Sequence, residues 1–215
     1  MEERTVKETQ ERYLVVDLPE RRVDLTRSEL LYRFDTFNAA DWSITRHPPK
    51  WRCEGPRIVG DSEGLLNHGQ VFFREPVEGD VVLSFDAELV APCDHDLVWF
   101  WGVHLDREPW GEGWLGGLAG WWANLVGIER MPDMTPAAIA DSCPIVSGRR
   151  YHVVSGTAQG RHFISVDGRL VLYALDERPA PSGYFGFGVY ESCAAYSNLA
   201  VYRPSIEPRR CAYAQ

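Results

Sequence analysis

Six histidines, His47, His68, His95, His104, His152 and His162, carry the side chain that titrates near neutrality without a large environmental shift. Of these, His68, His104 and His152 fall at or beside the ends of strand-like runs, where Asp86 or Glu129 could serve as partner. They are the candidates for moving a proton, against the plainer alternative of a half-buried polar residue in a strand. His152 leads, because its neighbours Tyr151 and Val153 can pack inward while the imidazole faces the other side of a sheet. His104 follows, and Glu129 comes after it because burial would have to raise a carboxyl into the useful range. No nucleophile-elbow sequence supports a Ser/His/Asp or Cys/His triad, and nothing excludes one. Asp94-His95-Asp96 and His104-Leu105-Asp106 come nearest to metal-ligand spacing; both read as polar turns, with a divalent cation as the alternative.

Residues 110–124 hold five glycines and four tryptophans in fifteen positions, an unusual make-up for a solvated loop. A tryptophan face suits the C–H side of a sugar ring, and glycine lets backbone approach a ligand closely. Trp114, Trp121, Trp122 and Asn124 are therefore candidate binding residues, unless the rings plug one end of the fold. Trp99 and Trp101 share a strand face and could form an aromatic platform, with core packing as the rival. Glu129 and Arg130 could bind hydroxyls, one accepting and the other donating in a fork, and Asp86 and His68 complete the candidate binding set.

Composition narrows the ligand. The net charge is -9, which offers no footprint for a polyphosphate backbone, so nucleic acid is not an expected partner. Lysine occurs only at Lys7 and Lys50, and there is no G-x-x-x-x-G-K-[ST] loop, which leaves little room for Schiff-base or nucleotide chemistry. A neutral polar ligand such as a sugar fits better. The charged start lacks the apolar core of a secretion signal and no run reaches membrane-spanning length, so a cytoplasmic protein without a membrane partner is expected. Five cysteines, none in C-x-x-C spacing, read as reduced thiols. A homo-oligomer is left open, as is any cofactor, a divalent metal included.

The elements that must position these residues read as all-β. Residues 81–89 alternate, with Val81, Leu83, Phe85, Ala87 and Leu89 on one face and Ser84, Asp86 and Glu88 on the other. Similar runs are predicted at 97–104, 151–155, 161–166, 170–174, 184–190 and 196–202. Asp167-Gly168 between two of them marks a type I′ hairpin, and Gly160 turns the preceding pair. Only 136–141 suggests a helical turn. Many short strands in one chain imply a two-sheet antiparallel sandwich or a barrel, here one domain over 13–205, with a loose arm at 1–12 and a tail at 206–215.

The segments LYRFDTFNAADWSI (31–44), GDVVLSFDAEL with DLVWFWGV (79–103), GRHFISVDGRLVLYA (160–174) and GYFGFGVYESCAAYSNLAVY (183–202) resemble the concanavalin A-like lectin/glucanase jelly roll. Within it the pattern is similar to the YesU-like bacterial proteins, which tend to be encoded with polysaccharide-degradation genes. More distantly it is similar to the 3-keto-disaccharide hydrolase/lyase family. The E-x-D-x-x-E strand of the related β-glucanases is absent, so hydrolysis by paired carboxylates is not implied. The resemblance implies an intracellular carbohydrate-active protein, a lyase or hydrolase that uses base-assisted β-elimination on a 3-keto-glycoside. The alternative is a non-catalytic, lectin-like binding module.

Overall fold

The computed structural model describes residues 13–45, 50–62, 64, 68–106, 111–120, 125–141, 143–176, 178 and 182–209. In chain order the first strands are β1 (Val15–Asp17), β2 (Arg21–Asp24), β3 (Glu29–Phe34), β4 (Trp42–Thr45), β5 (Arg52–Glu54), β6 (Arg57–Asp61), β7 (His68–Phe73) and β8 (Val82–Leu89). There follow β9 (Leu97–Val103), β10 (Gly113–Gly120), β11 (Leu125–Met131), β12 (Thr135–Ala140) and β13 (Arg150–Ala158). The last are β14 (Arg161–Val166), β15 (Arg169–Leu175), β16 (Tyr184–Tyr190), β17 (Cys193–Arg203) and β18 (Ile206–Pro208).

A seven-stranded sheet in the order β12-β11-β10-β9-β16-β7-β4 faces an eight-stranded one in the order β15-β14-β13-β8-β17-β6-β5, where β3 pairs with the far half of β17. Pairing is antiparallel throughout, as the run of short alternating segments implies. The core between the sheets takes Leu83, Phe85, Ala87 and Leu89 from β8, the inward set of the alternation, against Trp99, Trp101, Trp114 and Phe187. One hydroxyl fastens the two layers. Tyr196 Oη, on β17, accepts from the Val98 N–H at 3.0 Å and lies 2.9 and 2.8 Å from the carbonyls of Val98 and Gly188 on the other sheet.

A small third sheet, β1-β2-β18, covers part of the outer face of the eight-stranded sheet. Val16, Leu18, Val23 and Leu25 pack there on Val82, Val154, Phe163 and Tyr202. This accounts for apolar residues on a face that the alternation alone would leave to solvent. It also places 206–208, expected as tail, in a strand paired with β2.

Both turns read from the sequence form: Asp167 and Gly168 have φ of 50° and 77°, and Gln159 and Gly160 have 51° and 72°. Two expectations are corrected. Residues 135–140 form the edge strand β12 rather than a helical turn, and an edge tolerates the missing N–H of Pro136. The glycine-rich stretch is no loop at 113–120 but the fully buried strand β10. Its glycines make room for aromatic rings: a Cβ on Gly116 would stand 2.7 Å from Trp99 Nε1 and 2.9 Å from Trp101 Cζ3.

Candidate functional site

On the outer face of the eight-stranded sheet, three neighbouring strands bring four polar side chains into one chain of hydrogen bonds. β8 contributes Ser84 and Asp86, two residues apart and so on one face. His152 of β13 sits directly opposite Asp86. β17 contributes Asn198, at φ 52° within a register shift between Ser197 and Ala200 that turns its side chain toward β8. Asn198 Nδ2 donates to Asp86 Oδ2 at 2.7 Å, and Asp86 Oδ1 lies 2.8 Å from His152 Nδ1.

An ionised carboxylate only accepts, so His152 carries its proton on Nδ1 and presents Nε2 as an acceptor, 3.2 Å from Ser84 Oγ. Burial pushes the Asp86 carboxyl up, but hydrogen bonds from His152 and Asn198 and the nearby positive charge outweigh it, so the group stays below its ordinary value. The His152 N–H is itself held by Asp167 Oδ1 at 2.9 Å, and Tyr13 stacks on the imidazole at 5.4 Å between ring centres. The His152 and Asp86 side chains keep 21% and 15% of their surface exposed. They open into a groove of about 460 Å³ whose other walls include Tyr13, Arg33, Asp35 and Tyr202.

A second polar point lies where β10 ends and β9 begins. Asp96, at φ 71° and 7% exposed, receives the backbone N–H of Tyr190, while its Oδ2 has no partner among the described residues. Burial raises this carboxyl to about 7, opposed by Tyr190 and His95. A Cβ on Gly120 would sit 2.7 Å from Asp96 Oδ1, so glycine there leaves room for the carboxyl. In the sequence Asp96 reads as part of a polar turn, with a divalent cation as the alternative. The signal lay in its position immediately before Leu97–Val103, a strand buried at every residue.

The remaining candidates are dispersed. Trp99 and Trp101, 0% and 1% exposed, point into the core and form no platform; Trp99 packs edge-on against Phe85, and Trp101 Nε1 donates to Thr157 Oγ1 at 2.8 Å. The strand is buried on both sides, and this face is the one that meets the other sheet. Trp114 and Arg130 are cross-strand partners lining a cleft of about 310 Å³ at the sheet margin, far in the topology from His152. Trp114 also packs at a tilt against His162, 3.7 Å between ring centres, whose pKa burial lowers to about 4. Glu129, opposite Leu115 and 2% exposed, belongs to the seven-stranded sheet and does not meet His152. His104 follows β9 beside a cleft of about 530 Å³, and its buried Nε2 has no partner among the described residues. His68 opens β7 opposite Tyr190. Trp121, Trp122 and Asn124 lie outside the described residues, as does His47. Among the described residues no three His, Cys, Asp or Glu side chains gather as a metal site. Among the described residues, Cys53, Cys93, Cys143 and Cys193 form no disulfide.

Against solved structures, the chain superposes on a carbohydrate-binding module from Bacillus subtilis, CBM66, with a TM-score of 0.61 and 18% identity over 75% of this chain and 95% of that one. The fold is the concanavalin A-like jelly roll. A Bacillus subtilis protein of unknown function with a galectin-like fold gives a TM-score of 0.64 at 14% identity, over 85% of this chain and 98% of that one. A Bacillus licheniformis β-glucanase gives 0.58 at 11%, over 82% and 98%. No protein-family model matches the sequence, and no curated protein does. At these identities the jelly roll is shared architecture, and function has to be argued from the site.

Proposed function

We propose that the protein acts on a carbohydrate held in the groove over β8, β13 and β17, with His152 as general base. The observation that carries this is the Asp86–His152 pair: a carboxylate fixes the tautomer, and the basic Nε2 faces an open groove. Around it stand groups a glycoside needs, the Tyr13 ring for its apolar face and Asn198, Asp35 and Arg33 for its hydroxyls. The jelly rolls named above, a carbohydrate-binding module and a glucanase among them, support a sugar as ligand.

The reaction that one base can run here is β-elimination from a glycoside oxidised at C3. Nε2 removes the acidified C2 proton, the electron pair moves through the enolate, and the C1 substituent leaves. Arg33, which has no ion pair among the described residues and lines the same groove, balances the enolate charge. Arg130, read from the sequence as a hydroxyl-binding candidate, lies on the other sheet beside Trp114. His104 lacks a carboxylate to orient it among the described residues, which ranks it below His152. A cytoplasmic location is part of this proposal.

The test is a mass-spectrometric screen of common glycosides and their 3-keto forms. Turnover lost in His152→Ala with binding retained supports the base, and full activity in the folded variant removes it. A second reading, a non-catalytic sugar-binding module, rests on Asp96, a buried carboxyl whose Oδ2 has no partner among the described residues. Binding abolished by Asp96→Asn and untouched by His152→Ala would select that reading.

A further inference from the structure

We infer that Ser84 is a nucleophile and that the groove hydrolyses a short O-acyl ester carried by a carbohydrate. The inference rests on the reading that a sugar occupies the groove, and it changes which bond is broken.

The geometry is a hydroxyl, an imidazole and a carboxylate in series: 3.2 Å from Ser84 Oγ to His152 Nε2, then 2.8 Å from His152 Nδ1 to Asp86 Oδ1. The Asn198 amide fixes the far carboxylate oxygen at 2.7 Å. With Nδ1 protonated toward Asp86, Nε2 can only accept, so the Ser84 O–H points at the base that would remove its proton. The fold provides an internal comparison. Thr157 Oγ1 also meets an imidazole nitrogen, His162 Nδ1, at 2.8 Å. There both residues are buried, at 0% and 1% exposure, and no carboxylate bonds the far nitrogen, Nε2, which has no partner among the described residues. That pair belongs to the core. The Ser84 pair differs in having the carboxylate and in lining a groove.

Acyl transfer also needs a group to meet the oxyanion. In the middle of a sheet the backbone N–H groups are committed to the ladder, so a side chain has to serve. Arg33, Ala200 and Ser84 are successive cross-strand partners on β3, β17 and β8. Two strand spacings of about 4.8 Å separate the Arg33 and Ser84 backbones, within reach of an extended arginine. The residue between them is alanine, whose methyl leaves the path open. The substrate must be slight at its acyl end, because Ser84 is only 3% exposed at the groove floor. An acetyl group fits, with the sugar beside Tyr13 in the groove.

In the first step Ser84 Oγ attacks the carbonyl carbon as its proton passes to His152 Nε2. The tetrahedral intermediate then collapses, the C–O bond to the sugar breaks, and the imidazolium returns the proton to the departing sugar oxygen. In the second step water attacks the acyl-serine, again losing its proton to Nε2. Collapse releases the carboxylic acid and restores Ser84, so that ester and water become alcohol and acid.

The experiment treats the full chain with a fluorophosphonate and locates the adduct by peptide mass spectrometry, alongside acetate release from glucose pentaacetate. The expected result is one adduct, on Ser84, and acetate release lowered on the order of 10³-fold in Ser84→Ala and His152→Ala. Asp86→Asn, which keeps the hydroxyl and so guards against a folding defect in Ser84→Ala, should slow labelling at least tenfold. Wild-type ester hydrolysis in folded Ser84→Ala, or no adduct on Ser84, overturns the inference. The elimination reading is judged separately, on a 3-keto-glycoside, where His152→Ala should lose its turnover whatever the outcome on the ester.

Discussion

Replacing Asp96 by Asn removes a group whose cost depends on pH in a calculable way. The carboxyl moves from an ordinary 3.8 to about 7 in the folded chain, and at 7% exposure solvent screening takes little from the effect. Between those two values the folded protein binds a proton that the unfolded chain has released. Stability from this group therefore falls as pH rises through the window and is level on either side. A carboxyl moved from 3.8 to about 7 changes stability by roughly 4 kcal/mol across the window. His162 works in the opposite direction: burial lowers it to about 4, so its contribution is whole above 6.5 and is lost as pH falls through the folded value. The two nearly cancel, and the wild-type profile alone would conceal both. The difference between Asp96→Asn and wild type isolates one of them. It should swing by roughly 4 kcal/mol in favour of the variant from about pH 4 to above pH 7. Urea titrations followed by tryptophan fluorescence, at half-unit pH steps with unchanged m-values, would measure it. A pH-independent difference would refute the reasoning and mean that the carboxyl is solvated or paired.

Gly116→Ala should destabilise by about 1–3 kcal/mol in urea, because the new methyl meets the Trp99 and Trp101 rings, and near-UV circular dichroism should register the displaced indoles. Tyr196→Phe deletes the hydroxyl that serves Val98 and Gly188 and should cost about 1–3 kcal/mol with secondary structure unchanged. His162→Gln should leave the Asp96 effect unopposed, so that the melting temperature rises on acidification from pH 6.5 to about 4, where that of the wild type stays nearly level. Asn198→Ala should leave Asp86 with one donor fewer and raise its pKa, read by carboxyl NMR titration as an upward move of the midpoint.

Much of the frame was legible because alternation is a local signal. The inward set of β8 and the Asp167-Gly168 turn can be read from a handful of consecutive residues. β10 was not legible for a physical reason: glycine has no side chain to alternate, and its use here is to make space for Trp99 and Trp101, which are more than ten residues away. The site divides in the same way. His152 and Asp86 were named as base and partner, since each shows its face in its own strand. Their contact across 66 residues, and the place of Ser84 and Arg33 beside them, depend on the register of β8 with β13 and of β17 with β3, which no local pattern specifies. Asp96 escaped because the cost of burying its carboxyl appears only once β9 is covered on both faces.

The Tyr196 hydroxyl also limits how distant parts of the molecule can communicate. It bonds to β9 and β16 while its own strand carries the bulge that presents Asn198 to the groove. Sliding one layer over the other by a single residue would break all of its contacts at once, deep in a region with no water to replace them. The sandwich is therefore pinned against shear at its centre. A ligand seated near Asp96 has no gliding motion of the layers by which to signal to His152. Any dialogue between the two must run around the rim, through the connecting segments and the terminal sheet that holds Tyr13 against the imidazole.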